Sequence, residues 1–265
     1  MVNIGCKCNS TYGASKDKHN ALYDPLMANN VCINGQLLIV DLLEKLEAGL
    51  GDKAQLVQSN TDGILVKLQD RSVLDEYLAI CKEWEERSMF ELEHDEYVKV
   101  FQKDVNNYVI VDANGKRKTK GAYVKKLSKI DYDLPIVNKA VVDYLVYNTP
   151  VEETINNCDK LIEFQKICKL TNLYKCSMYG NDELSERVLR VFASKIEKHP
   201  GVFKVKEVKD NKTGLITERI EKIGNTPEHC FIVNDNIKDT KVPPTLDKNW
   251  YIDLANKRIK DFLGE

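Results

Sequence analysis

The 265-residue chain has no Cys-x-x-Cys pair, no internal repeat, no low-complexity tract, and no apolar run near the roughly 18 to 20 residues of a membrane span. It also lacks a basic-then-apolar leader at Met1. Each absence excludes a class. The eight cysteines, at positions 6, 8, 32, 81, 158, 168, 176 and 230, are scattered, and the four histidines stand apart from one another. That pattern argues against a disulfide framework and a zinc site, so reduced thiols are the expectation. Without a span or a leader, no membrane association and a cytoplasmic location are expected. The net charge of −2 argues against a protein that coats nucleic acid along its whole surface.

What the chain does have is a globular composition, 43% apolar and 30% charged, with length enough for one large domain or two smaller ones. Its charge is unevenly placed. Residues 41–98 carry 15 Asp and Glu against 6 Lys and Arg, whereas residues 99–129 carry 9 Lys and Arg against Asp104 and Asp112. An acidic stretch beside a basic one suits a protein that holds cations at one place and a phosphate backbone at another; two solvated faces would look the same.

Residues 9–20 read as the end of a helix running into a loop. Asp24-Pro25 offers an N-cap followed by proline at the first helical position, and Met27, Val31, Leu38, Leu42 and Leu46 recur at helical spacing up to Gly49 and Gly51. This predicts a long core-facing helix, with Gly35 allowing a close approach on its apolar side. A hairpin around Asp62 follows, then a helix over 72–87 with Leu74, Leu78, Cys81 and Trp84 on one side. Strands are expected at 97–101 and 108–111, and a turn at Asn114-Gly115 leads into the basic run 116–121. After Asp133-Leu134-Pro135 the pattern becomes mostly helical: 136–147, 151–156, 159–170, a short helix near 184–191, a small β region around 202–223, and a last helix over about 248–262. The fold class is therefore α+β, an antiparallel sheet packed on helices followed by a mainly helical part, with a boundary near 132.

Asn9-Ser10-Thr11-Tyr12-Gly13 resembles the Asn-Ser-x-Tyr-Gly core of motif B in family B DNA polymerases, and Ser59-Asn60-Thr61-Asp62-Gly63 falls where motif C, Asp-Thr-Asp-Ser, would stand. Val105-Asn106-Asn107-Tyr108 is similar to the Lys-Lys-x-Tyr strand of these enzymes, and Lys120-Gly121 resembles the Lys-Gly element that follows it. Arg190 to Lys195 and Asn225 to Cys230 look like the C-terminal region of the phage-type members. Four elements in order are more specific than any one of them. The resemblance implies residues 1–20 as the end of the fingers with motif B, 21–132 as a palm carrying the motif C hairpin, and 133–265 as a thumb.

The resemblance further implies template-directed addition of deoxynucleotides to a primer 3′ end, with Mg²⁺ ions stabilising the attacking and leaving oxygens. Asp62 matches the indispensable second carboxylate of motif C and is the implied catalytic residue and metal ligand, with Asn60 beside it as a carbonyl ligand. Asn9, Tyr12 and Gly13 would sit at the incoming deoxynucleoside triphosphate. Lys103, Asn106, Tyr108, Lys120 and Gly121 would meet primer-template DNA, contacts that position the duplex without reading its sequence.

Several positions depart from the family pattern. Asn60 replaces a carboxylate. No Asp-x-x-Ser-Leu-Tyr-Pro motif A occurs in the 265 residues, and the position four before Asn9, where the family has a nucleotide-gripping lysine, is Gly5. The expectation is a polymerase fragment that works with an upstream polypeptide carrying motif A and the exonuclease domain, and is inactive alone. The alternative is a non-catalytic remnant that grips primer-template DNA.

Overall fold

The computed structural model describes residues 2–4, 9–60, 63–128, 132–209 and 215–265, with side chains of residues 2–4, 9 and 10 left aside. The chain divides into two compact units, residues 1–98 with 111–116, and residues 99–110 with 117–265. Both mix helices with antiparallel sheets, so the class is α+β.

In the first unit a short strand β1 (Val2–Ile4) precedes helix α1 (Asn9–Lys16) and the long helix α2 (Pro25–Leu50). The expected cap is present: the Asp24 side chain accepts from the Met27 N–H at 3.0 Å, and Pro25 opens the helix, where its missing N–H costs nothing. Strands β2 (Ala54–Ser59) and β3 (Gly63–Leu68) form the expected hairpin. Helix α3 (Leu74–Ser88) starts after a 3₁₀ turn, Arg71–Val73, whose N-cap Asp70 accepts from the Ser72 N–H. Strand β4 (Leu92–His94) then completes a sheet of order β2-β3-β1-β4.

Ile39, Leu42, Leu46 and Leu50 of α2 pack with Tyr77, Cys81 and Trp84 of α3 and with Ile64 of β3 into one core. The buried stripe of α3 runs through Tyr77 rather than Leu78, which is exposed. The first half of α2 also differs from expectation. Met27 and Val31 are exposed, and no atom lies within 4 Å of the space beside Gly35, so that glycine permits no close approach. By length and composition α2 is apolar enough to cross a membrane, but one of its faces packs in this core.

Strands β5 (Tyr97–Asp104), β6 (Asn107–Asp112) and β7 (Arg117–Lys120) form a three-stranded sheet in that order. The β6–β7 connection at Asn114-Gly115 is a four-residue loop rather than a two-residue turn. Asp112 Oδ1 accepts from the N–H groups of Asn114 and Lys116, and Gly115 takes φ +77°.

The second unit is built on α4 (Pro135–Tyr147), which is buried almost all round: Ile136, Val137, Ala140, Val141, Leu145 and Val146 are all in the interior. A helix this rich in β-branched residues forms because its packing outweighs their propensity. Helix α5 (Val151–Asn156) and the closing helix α6 (Lys248–Leu263) pack on it. The expected helix over 159–170 is instead a 3₁₀ turn, Leu161–Phe164, and a strand β8 (Lys166–Lys169). The region 184–191 holds the end of β10 (Asp182–Leu184) and most of β11 (Val188–Ala193).

Together with β9 (Cys176–Tyr179), β12 (Val202–Lys209), β13 (Ile216–Lys222) and β14 (Cys230–Ile232), these give sheets of order β10-β9-β12-β13 and β14-β11-β8. Among the described residues, the part from 133 to 265 therefore holds seven strands beside three α-helices, rather than being mainly helical. The reason is visible in Val188-Leu-Arg-Val-Phe-Ala, a short apolar run with both faces covered, whose period cannot separate strand from helix.

Candidate functional site

The residues singled out by sequence fall into two groups, one in each unit. In the first unit, antiparallel pairing runs from Ala54↔Leu68 to Ser59↔Ile64, with a bulge between Leu56 and Gln58. A bulge adds twist and re-aims the end of a hairpin, and such irregularities gather beside functional sites. The Asn60 N–H donates to the Gly63 carbonyl at 2.9 Å, closing the hairpin backbone. Thr61 and Asp62 lie outside the described residues. Gln58 is buried at the same end of the hairpin, and its Nε2 has no hydrogen-bond partner.

The motif B-like residues 9–13 lie on α1, where Asn9 begins the helix. Tyr12 is half-buried, its hydroxyl 2.8 Å from Cys32 Sγ, and the Lys16 ammonium stands 4.6 Å from its ring centroid. The hydrogen bond to Tyr12 holds the Lys16 ammonium above its ordinary pKa. Ser15 is buried and donates to the Tyr12 carbonyl, while the Ser15 carbonyl accepts from the Asp24 N–H. These bonds seat α1 against the start of α2. Gly13 is exposed with open space beside it.

The second group is gathered by one turn. Asp104 accepts from the Asn106 N–H at 2.8 Å and from Asn107 Nδ2 at 2.9 Å, which holds its carboxyl below the usual range, the Asn107 bond contributing most. Gly121 rests against that turn at φ +104°; a Cβ there would lie 2.8 Å from the Asn106 carbonyl and 2.1 Å from Asn107 Oδ1. Only glycine permits this approach. Lys103 and Tyr108 stand two residues either side of the Val105-Asn106 turn, and Lys120 ends β7 beside Gly121. The structure thus places Lys103, Asn106, Tyr108, Lys120 and Gly121 around one end of the β5-β6-β7 sheet.

Four residues that sequence reasoning missed brace this end. Asn107 ties down the turn, as above. The Tyr123 ring lies 5.4 Å from Lys103 Nζ and 4.9 Å from the Arg258 guanidinium. Asn138, buried in α4, donates to the Ala122 and Lys125 carbonyls and accepts from Arg258 Nη1 at 2.7 Å. Burial lowers the Arg258 pKa, and the Asn138 amide oxygen and the Tyr123 ring face its charge directly. A polar residue inside the apolar run Ile136-Val137-Asn138-Lys139-Ala140 was the available signal. Arg117 is engaged by Asp143 at 3.6 Å and lies over the Tyr147 ring.

Among the described residues no group of three or more His, Cys, Asp or Glu is placed to hold a metal ion. A cleft of about 600 Å³ lies between α4 and α5, away from the turn, lined by charges of both signs such as Lys139, Asp143, Glu153 and Lys160. The six described cysteines are free thiols.

No protein-family model matches the chain, and no curated protein sequence matches it.

Proposed function

We propose that the chain is the palm and thumb part of a family B-like DNA polymerase, completed by a second polypeptide segment that carries motif A, the fingers and the exonuclease domain. The observation that supports this reading is the order and setting of its elements. A motif B-like sequence stands on a helix, an Asp62-bearing sequence joins two paired strands, and the Val105-Asn106 turn, flanked by Lys103, is closed on Gly121 next to Lys120. Within the chain the donors for Mg²⁺ are one carboxylate, Asp62, and the Asn60 amide oxygen, fewer than two bridged ions require. Bound there, Mg²⁺ would supply charge for the triphosphate. The chain's own residues would hold it at Asp62, seat the nucleotide at Asn9, Tyr12 and Gly13, and carry primer-template DNA on Lys103, Asn106, Tyr108, Lys120 and Gly121.

The test is primer extension by the chain mixed with a polypeptide bearing motif A. Extension is expected in the mixture, none from the chain alone, and Asp62→Ala should abolish it. Extension that survives Asp62→Ala would refute the assignment. Asn60 in place of a carboxylate favours a second reading, a module that grips recessed-end duplex without chemistry. Salt-dependent DNA binding without extension in the mixture would select it.

A further inference from the structure

Helix α2 is apolar on two opposite faces, which is the pattern of a helix covered on both sides. One face is covered by its own unit through Ala28, Ile39, Leu42, Leu46 and Leu50. On the other, Leu26, Ile33, Leu37 and Val40 are 70%, 53%, 60% and 48% exposed. Their separations of seven, four and three residues, with exposed Asn30 filling the gap, make a four-three seam about 21 Å long. Heptad spacing of this kind is what a second helix packs into. A lone Asn at a seam position is a device that fixes register.

The seam carries its own statement about the partner. From Pro25 to Val40 there is no charged residue, and the next two positions of the same four-three pattern are Glu44 and Glu47, both exposed. Neither makes an ion pair among the described residues, whereas nearby Asp41 and Lys45 are engaged by Arg87 and Glu83. A second copy of the chain fits badly. Parallel pairing would set Glu44 and Glu47 against themselves, and antiparallel pairing would bury them against the apolar end at Leu26. A lipid surface fits badly too, because the carboxylates continue the apolar stripe itself.

We infer that the outward face of α2 is the docking surface for an amphipathic helix of another polypeptide, apolar at its seam for two heptads and basic at the end that meets Glu44 and Glu47. Identifying that helix as part of the complementing polymerase segment rests on the function proposed above; the docking surface itself does not.

The test uses the full chain and labelled 21-residue helical peptides with Leu and Ile at seam positions and Asn set against Asn30. The two seam positions at one end are either Lys or Glu, and each peptide is made with that end first or last. Fluorescence anisotropy should show one Lys peptide binding at least about tenfold more tightly than its Glu counterpart. The Glu44→Lys/Glu47→Lys variant should reverse that preference. Leu37→Glu should abolish binding while leaving the circular dichroism melt unchanged, because Leu37 faces away from the core. Equal binding of Lys and Glu peptides, or no binding, overturns the inference. So does a dimer by light scattering that Leu37→Glu dissolves, which selects a second copy, or Leu37-dependent partition onto phosphatidylcholine or anionic vesicles, which selects lipid. No readout involves DNA or nucleotide, so failure here and failure of the polymerase assay remain separate results.

Discussion

Gly121→Ala isolates the close approach that organises the basic end of the β5-β6-β7 sheet. Gly121 has φ +104°, and its missing Cβ would lie 2.8 Å from the Asn106 carbonyl oxygen and 2.1 Å from Asn107 Oδ1. The side-chain oxygen can swing away, but only by leaving Asp104, which it helps to hold through the same amide. The backbone carbonyl cannot move unless the whole turn does. Gly115 supplies the control, since it also has positive φ, +77°, with nothing within 4 Å. Gly115→Ala should therefore cost only the left-handed backbone penalty, about 1–2 kcal/mol. Gly121→Ala adds the clash and should cost about 2–4 kcal/mol.

Urea unfolding of the two variants side by side reads the difference, since each changes the midpoint without changing the exposed surface. Combining Gly121→Ala with Asn107→Ala removes the side-chain part of the clash and should recover some of the stability, leaving the Asn106 carbonyl in place. If the Gly121 and Gly115 variants agree within about 0.5 kcal/mol, Gly121 does not serve a close approach.

Tyr251→Phe should destabilise by about 1–3 kcal/mol in a thermal melt, because the fully buried hydroxyl is the acceptor for the Ala193 N–H at 3.1 Å and its removal orphans a buried donor. Burial pushes the Cys81 and Cys168 thiols up to about 11 and Cys230 up to about 12, from 9.0, and raises the Tyr77 and Tyr251 hydroxyls as well. In the unfolded chain these thiols ionise near pH 9 while the native ones stay neutral. Their contribution to stability is therefore complete below pH 9 and declines as pH rises toward 11, which melts at pH 7, 9 and 10.5 would register. A flat profile contradicts the burial of these groups. If the chain binds primer-template DNA as proposed, replacing both Lys103 and Lys120 by Ala should lower the slope of log K against log salt by about 1.8, roughly 0.9 for each phosphate no longer neutralised. An unchanged slope would place the duplex elsewhere.

The parts of the fold that the sequence declared most clearly are those whose signals are local and redundant. Asp24 before Pro25, the paired strands Ala54–Ser59 and Gly63–Leu68, and the helix over Lys248–Leu263 all form where capping and periodicity place them. The differences lie where burial on every side erases periodicity: Lys166–Lys169 and Val188–Ala193 are short, covered strands that share composition with buried helices. In the candidate site, Asn106 and Gly121 stood out only through the motifs they resemble, and the structure gives them a backbone role instead, one in a turn and the other in close approach to it. Tyr123, Asn138 and Arg258 were not, because the bonds that make them matter join positions far apart in the chain, such as Asn138 and Arg258. The outward seam of α2 is hidden from sequence for a related reason: helical spacing announces an apolar face, but not which neighbour covers it.

The link between Arg258 and Asn138 also sets a timetable. Asn138 holds the loop carbonyls of Ala122 and Lys125, and its own acceptor is satisfied by a residue that lies 120 positions later. A chain emerging from the ribosome has completed the β5-β6-β7 sheet and α4 long before α6 exists, since synthesis adds only about 5–20 residues per second. The loop beside the Val105-Asn106 turn is therefore fastened only after α6 has been made. A nascent or truncated chain without α6 would have its sheet in place but its loop unbraced, so that a firm grip on any ligand at this end arrives only once α6 has packed.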